Sequence, residues 1–359
     1  MPIRRAARLE RELSIPALDV PSPRATPLVS IGLPTYNGAR HLRGSLESLL
    51  AQGCADLEIL VSDNASTDAT GQIARQFAER DPRVRVIRQA TNIGPTANFW
   101  FVLRETRGQY FMWAADDDVW DSAYVSACVG ALEGNPGAVM ATTLVDFIDG
   151  ETNQPLVDRP PELWDNPDLS STDPAVRIGR LMSRAGWYQL YGLMRREVVE
   201  AMPEIPPGYG WDVVFTAALA ARGPIVLVDR SLFTYRVVRQ PPADRGVWNQ
   251  DVTNLPNIRE TPYSHLQEAC CAAVGSAGLG WWQHQRAHVA LLIACYVRDT
   301  PMRARIEREV EARLRIALAT RRTPDVLKYG TIMAWKQPRR FVRKLRRRLR
   351  LGRRRVRDT

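Results

Sequence analysis

From residue 28 onward, apolar and polar positions alternate in a regular rhythm. Leu28–Leu33 is a short apolar run with β-branched residues and predicts a strand. Arg40–Ala51 sets Leu42, Leu46, Leu49 and Leu50 at helical spacing. Leu57–Val61 predicts a second strand, and Thr67–Glu79 a second helix with Ile73 and Phe77 on one face. Val84–Ile87, Tyr110–Trp113 and Ala138–Leu144 read as further strands, with a helix over Pro95–Glu105. Strand starts recur about every 27 residues, the length of a βαβ unit. No sequence repeat accompanies the period, so it is a fold rhythm and not a solenoid. The pattern predicts an α/β, doubly wound, mostly parallel sheet with its ligand at the carboxyl ends of the strands.

Past residue 150 the rhythm breaks. Residues 151–175 are rich in Pro, Asp and Asn and read as a loop. Helices over Val176–Arg184 and Trp211–Arg222 flank strands expected at Gln189–Met194 and Ile225–Val228. Tyr263 to about Ala319 has few breakers and reads as a C-terminal helical region. Residues 1–27 carry Pro16, Pro21, Pro23 and Pro27 and read as an N-terminal appendage. The expected division is a linker over 1–27, a main domain over 28–240, a helical region over 241–335 and a tail over 336–359. Within the main domain, 28–150 form one half and 151–240 the other.

Composition changes this picture in one place. The net charge of +10 divides unevenly. Residues 336–359 hold 13 Lys+Arg and one acidic residue, Asp358, a charge of +12 that leaves −2 for the rest. Phe341, Leu345 and Leu349 are four apart, so a helix would align them. Such a segment suits an anionic membrane surface. A solvated tail is the plain alternative. Nucleic-acid binding is disfavoured, since interleaved stacking aromatics are missing. No apolar run approaches the roughly 20 residues of a bilayer span, and the N-terminus lacks the apolar core of a secretory leader. Five cysteines without CxxC spacing fit reduced thiols in a cytoplasmic protein.

Polar residues suited to a nucleotide follow each early strand. Pro34-Thr35-Tyr36-Asn37-Gly38 offers a hydroxyl, an aromatic face and an amide, and it is neither GxGxxG nor a phosphate loop. Ser62-Asp63-Asn64-Ala65-Ser66-Thr67-Asp68 puts Asp63 where a carboxylate can accept bonds from a base or ribose. Asn92-Ile93-Gly94 follows the third strand, at a helix N-terminus suited to an anion. Asp116-Asp117-Asp118 follows the fourth. Three adjacent carboxylates are unfavourable without a positive partner, and a hard divalent cation, Mg²⁺ or Mn²⁺, is the simplest.

These four motifs, in this order and spacing, resemble the nucleotide-sugar-binding half of a family 2 glycosyltransferase of the GT-A fold. The resemblance covers residues 28–150 closely and runs more weakly to about 240. It implies that Pro34, Tyr36 and Asp63 line the nucleoside pocket, with Thr35, Asn37, Asn92, Gly94, Asp116 and Asp117 contributing to the donor site. Asp116 to Asp118 stand for the family's Asp-x-Asp, which implies a metal held by Asp116 and Asp118. Asp117 and Asp118 match the family best, and Asp116 is the more variable position. Gly210-Trp211-Asp212 stands where many members have Glu-Asp, which makes Asp212 the candidate general base. After Tyr235-Arg236, where many members have His, the chain has Val238 and Arg239. Arg236 or Arg239 can still pair with phosphate.

The function implied is an inverting, metal-assisted transfer of a sugar from a nucleotide-diphosphate donor to a hydroxyl of a glycan or lipid-linked acceptor. The expected place is the cytoplasm, with the basic tail drawing the enzyme to the inner membrane face. The alternative is a non-catalytic nucleotide- or glycan-binding protein of the same fold. His284 and His288, four apart, lack the HExxH and further ligands of a zinc site and read as ordinary histidines. Trp281-Trp282 read as helix packing, with an interfacial or acceptor-lipid contact as the alternative.

Overall fold

The computed structural model describes residues 26–156, 166–184, 188–205, 210–237 and 262–298. Its centre is an eight-stranded sheet in the order β3-β2-β1-β4-β7-β6-β8-β5. The strands are β1 (Val29–Thr35), β2 (Leu57–Asp63), β3 (Val84–Arg88), β4 (Tyr110–Trp113), β5 (Val119–Trp120), β6 (Met140–Asp149), β7 (Leu193–Arg195) and β8 (Ile225–Val237). The first four are neighbours in the order β3-β2-β1-β4 and pair in parallel, as their rhythm predicts. The helices of this half are α1 (Leu42–Leu50), α2 (Thr70–Arg80), α3 (Pro95–Arg104) and α4 (Tyr124–Glu133).

The second half departs from simple winding. β7 lies antiparallel to both β4 and β6 and separates them. The sequence reading had one strand over Gln189–Met194. Tyr188–Tyr191 is instead a 3₁₀ turn, and only Leu193–Arg195 is strand. Gly192 explains the break, because a Cβ there would come within 2.9 Å of the Ala141 carbonyl on β6. β6 and β8 run longer than their apolar cores suggest and pair in parallel, with register shifts on either side of Leu144. Their outer ends carry β8 to the acidic turn, where β8 also pairs with β5.

β4 shows how the sheet divides its core. Tyr110 and Met112 face the layer of α1, α2 and α4, while Phe111 and Trp113 face the opposite layer, the period-two alternation of a strand. That second layer holds α3, α5 (Pro174–Arg184) and α7 (Trp211–Arg222); the short α6 (Arg196–Glu200) follows β7. Trp113 packs edge-on against Phe215 at 4.8 Å between ring centroids and against Phe111 at 5.2 Å. Gly32 lets α3 approach β1, because a Cβ there would meet the Val102 side chain.

α7 is buried from Val213 to Ala221. Helices α8 (Pro262–Gly275) and α9 (Trp281–Arg298) cover it and α5. Cys270, Val274, Ala287 and Leu291 join the same apolar cluster as Trp113 and Phe215, so these two helices share the core of the sheet. Arg177 on α5 closes the end of α7 by donating to the Ala220 carbonyl at 2.5 Å. Burial pulls its guanidinium down to about 10. Residues 1–25, 238–261 and 299–359, with the N-terminal appendage, Val238, Arg239 and the basic tail, lie outside the described residues.

Candidate functional site

The carboxyl ends of β1, β2 and β3 are knitted together by their own polar side chains. Asn37 adopts a left-handed φ of 54°. Its N–H donates to Ser66 Oγ at 2.9 Å, and its Oδ1 accepts the Thr67 N–H at 2.8 Å. Asn64 ties the β2 turn to the β3 turn. Its Nδ2 donates to Asn92 Oδ1 at 2.9 Å, and its Oδ1 accepts the Ile93 N–H at 2.9 Å. Gly94 takes a φ of 85° that disfavours a side chain. Beneath them, Ser62 donates to Asn98 Oδ1 at 2.6 Å, and Asn98 Nδ2 returns a bond to the Ser62 carbonyl at 3.0 Å. Asn37, Asn92 and Gly94 therefore shape the rim by holding turns.

Asp63 is fully buried and already engaged. Its Oδ1 accepts the Ser66 N–H at 2.8 Å, and its Oδ2 pairs with Arg88. The half-exposed group of this pair is Arg88, which the sequence reading did not single out. A basic residue closing an alternating strand was its one visible signal. Pro34 and Thr35 are buried, whereas Tyr36 is 38% exposed, a ring face open at the strand end.

The acidic turn sits between β4 and β5. The Thr35 hydroxyl donates to Asp116 Oδ2. Gly38 makes room for that carboxylate, since a Cβ there would collide with it. Ser45 on α1 donates to the Asp118 carbonyl at 2.7 Å. From β8, the Arg236 N–H donates to Asp118 Oδ1 at 2.7 Å and Arg236 Nε to the Asp117 carbonyl at 2.6 Å. Arg236 Nη1 also reaches Asn153 Oδ1. The structure thus spends Arg236 on the turn. Asn153 and Ser45 hold this cluster from distant segments and carry no local sequence signal.

The three carboxyls are held in a costly state. Burial pushes Asp117 up to about 7, the Asp116 charge adds to this, and Arg236 opposes it. Asp116 is raised chiefly by burial, against the Thr35 hydrogen bond. Asp118 is raised well above the usual carboxylate range by burial and by the charges of Asp117 and Asp116. Asp118 Oδ2 is buried with no hydrogen-bond partner among the described residues. A divalent cation would relieve all of these. Among the described residues no three His, Cys, Asp or Glu side chains converge. Mg²⁺ and Mn²⁺ sites completed by phosphate oxygens use only one or two protein carboxylates.

Asp212 lies in the first turn of α7, after Gly210 in a left-handed conformation. Trp211 fixes this turn by packing 5.1 Å from Phe99 and 5.9 Å from Trp113. Tyr191 and Tyr235 are buried phenols that feel the charge of both Asp212 and the acidic turn. Both phenols are raised by burial first, and then by the charges of Asp118, Asp117 and Asp212. Carboxylates from the two halves therefore act in the same direction on this pair of buried phenols.

Other sequence candidates fall outside this cluster. His284 and His288 lie on α9 with ring centroids 6.0 Å apart, and His288 Nε2 is 3.1 Å from Cys271 Sγ. Trp281 and Trp282 do not pack into the core: they are 47% and 65% exposed at the start of α9. Cys54 and Cys271 are only partly buried, whereas Cys128 and Cys270 are buried.

Residues 30–199 match the sequence model of glycosyl transferase family 2. An uncharacterized glycosyltransferase of Bacillus subtilis, EpsJ, is 31% identical over 179 residues, 48% of this chain and 49% of that protein. Chondroitin synthase of Escherichia coli is 33% identical over 131 residues, 36% of this chain and 19% of that protein. The structure of Staphylococcus aureus TarS residues 1–349 in complex with UDP-GlcNAc aligns with a TM-score of 0.48 and 16% identity, over 86% of this chain and 92% of that one. The chain spans between 30% and 49% of the length of the first curated relatives it matches.

Proposed function

Because the chain belongs to glycosyl transferase family 2 through residues 30–199, we propose that it transfers a sugar from a nucleoside-diphosphate donor to a hydroxyl of a glycan or lipid-linked acceptor. The single observation that carries the reading is the buried Asp118 Oδ2 left without a partner among the described residues, in a turn of three carboxyls clamped by Arg236. One transferase site needs an anionic wall for a metal–diphosphate and a separate carboxylate for the acceptor.

Each residue then has a task on this GT-A-type scaffold. Tyr36 offers its exposed ring to the base, beside the Asp63–Arg88 pair. Asp116 and Asp118 would hold Mg²⁺ or Mn²⁺, with the orphaned Asp118 Oδ2 as the principal ligand. Bound there, the ion would offset the charge that develops on the departing diphosphate. Asp212 takes the acceptor proton as the new bond to the anomeric carbon forms and the bond to the diphosphate oxygen breaks. A single displacement inverts the anomeric centre and needs no covalent enzyme intermediate.

The transferase unit is residues 28–240, and α8 and α9 complete its core. Likeness to chondroitin synthase favours a glycan acceptor. The +12 charge of residues 336–359 favours residence on the inner face of an anionic membrane. The alternative of a non-catalytic binder is separated by turnover. Purified protein is incubated with a panel of nucleotide sugars and glycan acceptors, and nucleoside diphosphate release is measured. Acceptor-stimulated release that Asp212→Asn abolishes supports the transferase. Binding with no release from any donor supports the alternative.

A further inference from the structure

The turn between α8 and α9 ends in two adjacent tryptophans that the protein does not use for packing. Their rings meet edge-on with centroids 4.5 Å apart, and both face outward. Ala277 and Leu279 anchor the turn against the core. Arg222, the last residue of α7, donates to the Ser276 carbonyl at 3.1 Å and pins the turn to that end of the helix. Two large apolar rings are thus presented on a fixed support.

The sequence around the pair lacks carboxylates. From Ala269 to Arg298 the sequence contains no Asp or Glu, and it contains Arg286 and Arg298. Arg286 pairs with Asp173 on the neighbouring segment. Residues 336–359 add +12 to the same chain. We propose that Trp281 and Trp282 form a membrane-seating site that inserts between the headgroups of an anionic phospholipid surface.

Chemistry selects this occupant. Indole has an apolar body and one N–H donor, a combination suited to the boundary between headgroups and acyl chains. A protein partner or a second copy would need a patch of several hundred Å² on each side. Here the flanking positions are Gly278, Gly280 and Gln283, which supply no such patch. No described helix is long and apolar enough to cross a membrane. The position of the turn also matters. Asp212 opens α7 and Arg222 closes it, about 15 Å apart along the axis. Seating through the turn leaves the carboxyl ends of the strands open to a soluble donor.

The inference stands apart from the transferase reading, because nucleotide binding is scored without vesicles. The test is co-sedimentation of the full chain with vesicles of phosphatidylcholine alone or mixed with phosphatidylglycerol, for wild type and Trp281→Gln/Trp282→Gln. Both substitutions are at exposed positions, so the melting temperature should be unchanged. Wild type should partition onto the mixed vesicles, and the double substitution should weaken partitioning about tenfold. Brominated lipids should quench wild-type fluorescence more than that of the variant. Wild type that ignores the mixed vesicles overturns the proposal. So does a variant that binds as wild type does, which would assign all binding to the tail. A variant that changes sedimentation-equilibrium mass but not lipid binding assigns the patch to a second copy and also overturns it.

Discussion

The main-chain N–H of Arg236 donates to Asp118 Oδ1 at 2.7 Å across 118 positions of sequence. One hydrogen bond thus locks the last strand of the sheet onto the acidic turn after β4. The Arg236 side chain repeats the link through the Asp117 carbonyl and Asn153. Arg236→Ala leaves the main-chain bond and removes the others. It should cost about 1–3 kcal/mol of stability, the range for losing buried hydrogen bonds to a charged group. It should also weaken Mn²⁺ binding, with denaturant melts and a Mn²⁺ titration by electron paramagnetic resonance as the two readouts.

The raised carboxyl at Asp117 predicts a pH dependence. Its folded value of about 7 lies above the ordinary 3.8, so the folded protein binds this proton more tightly than the unfolded chain does. The stability it contributes is complete below about pH 3.8 and is lost as pH rises through about 7. In EDTA, Asp117→Asn should therefore stabilise the protein at about pH 8 and have little effect at about pH 4. Melting temperatures of wild type and variant at both pH values check this; an equal difference at both would contradict the assigned cause.

Gly38 faces Asp116. A Cβ at Gly38 would collide with that carboxylate and lie 2.7 Å from Thr35 Oγ1. Gly38→Ala should displace the Asp116 side chain and break the Thr35 bond, with a stability cost of about 1–3 kcal/mol from strain in a packed site. Weaker donor binding should accompany it. Gly44→Ala, on α1 with open space around it, is the control that should bind donor as wild type does.

Asp212→Asn keeps the size of the side chain and removes the base. Donor binding should persist, while turnover should fall about 10²–10⁴-fold, the usual share of general base catalysis. Equal turnover in the two proteins would move the proton acceptor to another residue.

Much of this architecture was legible along the chain, and the failures have physical causes. β4 and α7 were read at the bounds the structure gives, because both are continuous apolar segments closed by polar residues. β7 was misread because three residues carry no periodicity, and its place between β4 and β6 is set by partners far away in sequence. The acidic turn was visible as three adjacent carboxyls, but its clamp was not. Ser45, Asn153 and the main chain of Arg236 reach it from separate elements. Asp63 was conspicuous as an acid at a strand end; that Arg88 engages its second oxygen follows only from the register of β2 on β3, whereas the Ser66 N–H bond is local to the turn. Trp281 and Trp282 showed the limit of composition, because an apolar pair reads the same whether it faces the core or the solvent.

The central claim is that the acidic turn binds a metal–nucleotide complex. It is tested most directly by calorimetric titration with UDP-, dTDP-, GDP- and CDP-sugars in Mn²⁺, Mg²⁺ or EDTA, for wild type and Asp118→Asn. The account predicts that one nucleotide class binds wild type with metal, that EDTA removes most of this affinity, and that the substitution does the same. Failure of every nucleotide to bind under any metal condition would contradict it, as would binding that is indifferent both to EDTA and to the loss of the Asp118 charge.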